Sequence, residues 1–212
     1  MNGRRFPFLA AGVLAALLLP ATALTAQEAG PFEVSIFGGA FFGTRVLTLP
    51  SEEIRIANSG GWGVKAAWAA SPSLRLEAGW SHAATDLLSR DPSVDGSYEK
   101  TGTVDTNAWD LDALYDFGGK ATRGALGLGV GAMKISPVLA SLSDSETRFT
   151  LNATAGVRQW FGPHFAVRVD GRWRWRDGKT RIGTIVCDGE CKPFTTNWYS
   201  SAELTAGVTY RF

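Results

Sequence analysis

The chain has 212 residues, with 21 Lys and Arg against 20 Asp and Glu, a formal net charge of +1 and two cysteines. A balance this close to neutral excludes the strongly charged face that nucleic acid or an anionic surface would need, and the length suits one domain. The 25 Gly, 8 Trp and 2 Met favour strands and close backbone approach over a helical core. A mean hydropathy near zero fits a barrel whose lipid-facing and interior residues alternate.

In chain order, Arg4 and Arg5 precede an apolar run from Phe8 to Leu19, and Pro20 is followed by small residues. This is the pattern of an export signal. Cleavage is expected after Ala23, in Ala21-Thr22-Ala23, or after Ala26, so residues 1–26 form the signal peptide and 27–212 the barrel domain. The run is shorter than the roughly 20 residues of a spanning helix. No cysteine follows the cleavage region, so no lipid anchor is expected.

Eight segments then alternate with a period of two, the mark of strands with one apolar and one polar face. The first, Phe32 to Phe42, sets Val34, Ile36 and Ala40 against Glu33 and Ser35. The second sets Trp62, Val64, Ala66 and Trp68 against Lys65; after Ser71-Pro72-Ser73, the third sets Leu74, Leu76 and Trp80 against Arg75 and Glu77. In the fourth, Trp109, Leu111, Tyr115 and Phe117 oppose Asp110, Asp112 and Asp116. The fifth, from Leu126 to Ala132, alternates apolar residues with glycines. The sixth opposes Phe149, Leu151 and Val157 to Thr150, Asn152, Thr154 and Arg158. The seventh, after Gly162-Pro163-His164, opposes Val167, Val169, Trp173 and Trp175 to Arg168, Asp170, Arg172 and Arg174. The last, Asn197 to Phe212, sets Leu204, Val208, Tyr210 and Phe212 against Glu203 and Arg211.

Connections after the second, fourth and sixth segments are short. Those after the first, third, fifth and seventh are long, and Gly43 to Gly60, Ala83 to Thr106 and Arg176 to Thr196 read as the long outer loops. Alternating short turns and long loops is the pattern of bacterial outer-membrane barrels, with the turns periplasmic. Under that up-and-down assignment Trp62, Trp80, Trp109, Phe149, Trp173, Trp175 and Trp198 fall near one rim, and Phe32, Phe117, Phe161, Phe165, Tyr210 and Phe212 near the other. Two aromatic bands are expected at membrane interfaces. The alternative, a soluble sandwich or lipocalin-like barrel, must expose the charged face and treat the terminal Phe as accidental.

LGLGVGA (Leu126 to Ala132), GVRQWFGPHFAVRVDGRWRW (Gly156 to Trp175) and the closing VTYRF (Val208 to Phe212) resemble the small outer-membrane β-barrel family, the OmpA-like and OmpX-like eight-stranded barrels. The resemblance implies an all-β, transmembrane, antiparallel up-and-down barrel in the outer membrane of a Gram-negative envelope. It also implies that Tyr210 and Phe212 form the terminal signal read by the barrel-assembly machinery. Outer-membrane lipid and that machinery are the expected partners, with an extracellular partner left open, no nucleic acid, and a monomer. The family includes structural anchors, adhesion factors and a few lipid-modifying enzymes. No peptidoglycan-binding domain follows the last strand, so an OmpA-type tether is not carried over.

The polar faces hold Lys65, Arg75, Arg158, Arg168, Arg172, Arg174 and Arg211 beside Glu33, Glu77, Asp110, Asp112, Asp116, Asp170 and Glu203, seven of each sign. An eight-stranded interior is only wide enough for side chains to fill it, and charges withdrawn from water need partners. A paired polar core is therefore expected, with a narrow passive channel as the alternative. The raw material for a lipid-modifying enzyme is Ser81 or Ser89 with His82 and Asp86. Adjacent strand positions face opposite ways, so Ser81 and His82 cannot serve as nucleophile and base to each other. No catalytic set, metal site or cofactor is expected. Cys187 and Cys191, in CDGEC, are expected to form a disulfide, as an exported protein meets an oxidising compartment. The function these features favour is a non-enzymatic, porin-like barrel with a structural or surface-contact role.

Overall fold

The computed structural model describes residues 31–43, 45–48, 53–90, 97–138, 145–176 and 199–212. The export segment, Trp198 and the Cys187 and Cys191 pair lie outside the described residues. Among the described residues there are ten strands: β1 (Phe32–Phe42), β2 (Arg45–Thr48), β3 (Glu53–Ile56), β4 (Ser59–Ala69), β5 (Leu74–Arg90), β6 (Glu99–Gly118), β7 (Thr122–Val138), β8 (Glu146–Trp160), β9 (Phe165–Arg176) and β10 (Tyr199–Arg211).

Eight of them close into a ring. The order runs β5, β4, β1, β10, β9, β8, β7, β6, and β6 pairs back onto β5. Every neighbour is antiparallel, and the seam joins the first strand to the last, with Glu33 opposite Arg211 and Phe42 opposite Ala202. Closure satisfies the backbone groups that an open edge would leave bare. Positive-φ glycines, Gly118 and Gly162, help to turn the chain at the end that carries the short connections; this is called the turn end, and the opposite one the loop end.

The two faces of the wall differ in the way the alternation predicts. On β9, Arg168, Asp170, Arg172 and Arg174 are buried, while Trp173 and Trp175 stand on the outer face. Outward apolar residues are strongly exposed, Leu128 at 70% and Ile36 at 62%, a surface suited to hydrocarbon and not to water. At the loop end Trp80 lies opposite Trp109, which lies opposite Ala132, which lies opposite Phe149. At the turn end Phe32, Phe117, Phe161, Phe165, Tyr210 and Phe212 are all exposed.

Two expected loops differ from the structure. Most of 83–106 is strand, because β5 and β6 stay paired from Leu74 opposite Tyr115 up to Ser89 opposite Glu99, with one register shift. Within 43–60, β2 and β3 form a hairpin, and β3 continues the edge of β5 from Ile56 opposite Leu87 to Glu53 opposite Arg90. The reason lies in residue type. Thr101, Thr103, Val104 and Thr106 are β-branched and suit a strand, but their mixed polarity hides the two-residue period.

The glycines of β7 answer to the narrow interior. A Cβ at Gly129 would lie 1.9 Å from Asp112 Oδ1, and one at Gly131 would lie 2.6 Å from Asp110 Oδ1. Glycine there leaves the volume that the carboxylates of the neighbouring strand occupy.

Candidate functional site

The ring gathers the charged residues of seven strands into one interior network. Its tier at the turn end centres on Glu33 of β1. Glu33 accepts from Arg158 Nη1 at 2.6 Å and Arg211 Nη2 at 2.7 Å, with Arg75 Nη1 at 3.5 Å. Arg158 and Arg75 both reach on to Asp116, at 2.6 and 3.3 Å. The Arg211 guanidinium also lies 3.7 Å from the ring centre of Trp160, a cation–π contact.

The middle tier centres on Glu77, which is fully buried. Arg168 donates to both of its oxygens, at 2.8 and 3.2 Å, in the forked geometry that makes such pairs strong. Lys65 donates to Asp170 at 2.8 Å and lies 3.6 Å from Glu77. Arg168 Nε stands 2.8 Å from Asp170 Oδ2, an ion contact without hydrogen-bond alignment.

At the loop end Arg172 bridges Asp110 and Asp112, donating to each at 2.5 Å, and its Nε donates to Thr154. Asp110 also accepts from Arg174 at 2.6 Å and from Asn152 at 2.8 Å. Arg174 further donates to Glu203, and its Nη2 lies 3.4 Å from Ser81 Oγ. All fourteen charged residues singled out in the sequence thus contact one another inside one ring. Glu203 and Arg211 are the two that keep partial exposure.

Interior residues outside that set include Thr150, Asn152, Thr154 and the hydrogen-bonded pair Ser35 and Thr209. Phe37, Phe41 and Trp160 are buried as well. Their signal is parity: Phe37 and Phe41 stand an even number of positions from Glu33, and Trp160 two from Arg158. An apolar residue on the polar parity is easily read as a break in the pattern.

The residues weighed for lipid chemistry are not brought together. Ser81 points inward to Arg174. His82 packs on the outer face against Trp80, ring centres 6.4 Å apart, and its Nδ1 pairs with Asn107 Oδ1 at 3.3 Å. Asp86 binds Lys100 at 2.7 Å, and Ser89 stands seven positions along β5 from His82, about 23 Å at the strand rise.

At the seam, Tyr210 and Phe212 are exposed on the outer face, their rings 5.1 Å apart and edge to face. Phe165 stacks edge-on against Tyr210 at 5.0 Å, and the Phe212 N–H donates to the Phe32 carbonyl at 3.0 Å. The last residue is therefore tied to the first strand.

The sequence profile of the outer membrane protein beta-barrel domain matches residues 11–212. Among curated sequences none matches the chain. Neisserial surface protein A superposes with a TM-score of 0.62 at 17% identity, over 88% of this chain and 100% of that one. The outer membrane protein OprG of Pseudomonas aeruginosa gives 0.57 at 14% identity, over 90% and 99%. The N-terminal β-barrel domain of OprF from the same organism gives 0.55 at 14% identity, over 88% and 100%. At these identities the likeness is one of fold.

Proposed function

The chain belongs to the outer membrane protein beta-barrel domain family, and from that premise we propose that it is a non-enzymatic barrel that makes contacts outside the cell. The observation that supports this reading is the height of the wall at β5 and β6. β5 continues ten positions past Trp80 to Arg90, and β6 begins ten positions before Trp109. At the strand rise that is about 30 Å of paired sheet beyond the aromatic belt. The hairpin of β2 and β3 widens the same wall. This extension of paired sheet presents polar side chains at a distance from the lipid, which suits a surface contact better than a catalytic cleft.

The test replaces residues 84–105 by a two-residue Asn-Gly turn, which leaves β5 and β6 paired below. Cells producing the full chain are expected to gain adherence to epithelial monolayers, and the trimmed barrel, still folded by its heat-modifiable migration, is expected to lose it. Equal adherence of the two would reject the extension as the contact surface.

The terminal residues carry a second expectation. Phe212 and Tyr210 are exposed on the apolar face, and we take them as the signal that the assembly machinery reads. Deleting Phe212 should leave unfolded precursor in the periplasm, measured by protease sensitivity of fractionated cells. Normal surface levels of the deletion variant would count against this role.

A further inference from the structure

The chemistry of the interior changes at one height. Above Ser81, Phe41 of β1, Ile56 of β3, Ala83 of β5, Ala108 of β6 and Met133 of β7 pack into an apolar cluster, each at most 6% exposed, with Leu87 and Ile135 against it. On the side of β8 and β9 the layer is completed by buried Arg176, whose Nη1 lies 3.4 Å from Met133 Sδ. The carboxylates beneath it stand toward the turn end, Asp110 two positions from Ala108 on β6 and Glu77 six from Ala83 on β5, with Glu203 opposite Phe41 at its edge.

The outer face changes in the opposite sense at the same height. The outward positions that follow Trp80, Trp109 and Ala132 are His82, Asn107 and Lys134, which are neighbours in register. Ala84, Asp105 and Ser136 come next. Below the belt the wall is polar inside and apolar outside; above it the inward positions carry the apolar cluster, with the Thr85 and Thr106 hydroxyls turned onto backbone carbonyls, and the outward positions are polar. That reversal is what a sheet requires where it leaves hydrocarbon for water, because the face that needs burial changes with the solvent. The cluster is thus the core of a water-immersed end of the barrel, standing over the charged interior.

We propose that this apolar layer, and not the ion-pair network beneath it, is the permeability barrier of the barrel. A charged interior can be wetted, since its groups can exchange partners and offer ligands to an entering ion or water. An apolar constriction offers neither, and it closes a path by excluding water.

Ser81 reports on the barrier, since it faces Arg174 directly beneath Ala83. In the full chain carrying Cys187→Ser and Cys191→Ser, in micelles, Ser81→Cys should react with a cationic methanethiosulfonate about a hundredfold more slowly than Ser145→Cys, an exposed position. Adding Met133→Ala or Phe41→Ser should speed Ser81→Cys labelling by about tenfold or more, as local opening becomes easier. Adding instead the pair Arg172→Gln and Asp112→Asn, which removes both sides of one ion pair of the network, should leave it slow. Rapid labelling of Ser81→Cys with the layer intact overturns the proposal, and that measurement needs no layer variant to fold. Fast labelling with the Arg172→Gln and Asp112→Asn pair in a folded barrel, or no acceleration in folded layer variants, overturns it as well.

Discussion

Val169→Arg is expected to prevent folding into bilayers under conditions where the native barrel forms fully. Val169 lies on the outer face of β9, opposite Val157 on β8 and Ala206 on β10, so the new guanidinium would enter hydrocarbon without a partner. The cost of a lipid-facing Arg near the midplane is about 2 to 4 kcal/mol. Arg172→Gln, on the inner face three positions away, fails for another reason. Arg172 bridges Asp110 and Asp112, and removing one side of a buried ion pair costs about 3 to 5 kcal/mol. Asp110 keeps Arg174 and Asn152, so the loss falls mainly on Asp112. Asp112→Asn should therefore recover much of the stability lost by Arg172→Gln and none of that lost by Val169→Arg. Urea titration of refolding into lipid vesicles, read by heat-modifiable gel migration, separates the two. Recovery of neither, or of both, would contradict the assignment of β9's faces.

The second large effect is expected at the seam. Glu33→Gln leaves Arg158, Arg75 and Arg211 around a neutral amide that can accept at one oxygen only, and the loss should be about 3 to 5 kcal/mol. Because Glu33 sits on the first strand and Arg211 on the last, the variant should also slow barrel closure. Adding Arg211→Gln removes one uncompensated charge and should restore part of the stability. A Glu33→Gln barrel with native urea resistance would mean that the turn-end tier contributes nothing to closure.

Some of this molecule was legible along the chain and some was not. The bounds of β1 and the faces of β9 follow from period-two alternation, since a strand half in lipid must segregate its side chains. The charge set is legible for the same reason: fourteen ionisable residues on the polar parity of an alternating barrel chain have nowhere to go but the interior. Strand length above the belt is not legible. In 83–106 the wall passes from lipid to water, the inward residues become Ala83, Thr85, Leu87, Val104 and Thr106, and the alternation loses the contrast that marks it below.

By itself, then, the order of residues determined that the chain would make an antiparallel barrel and which side chains would face inward, because both depend on a local period that each strand carries alone. Which arginine meets which carboxylate was decided only by tertiary structure. Arg158 meets Glu33 across 125 positions, and Lys65 meets Asp170 across 105, partnerships that depend on strand stagger around the closed ring. The apolar layer was decided there too, since Phe41, Ile56, Ala83, Ala108 and Met133 come from five strands and form a barrier only when closure brings them to one height.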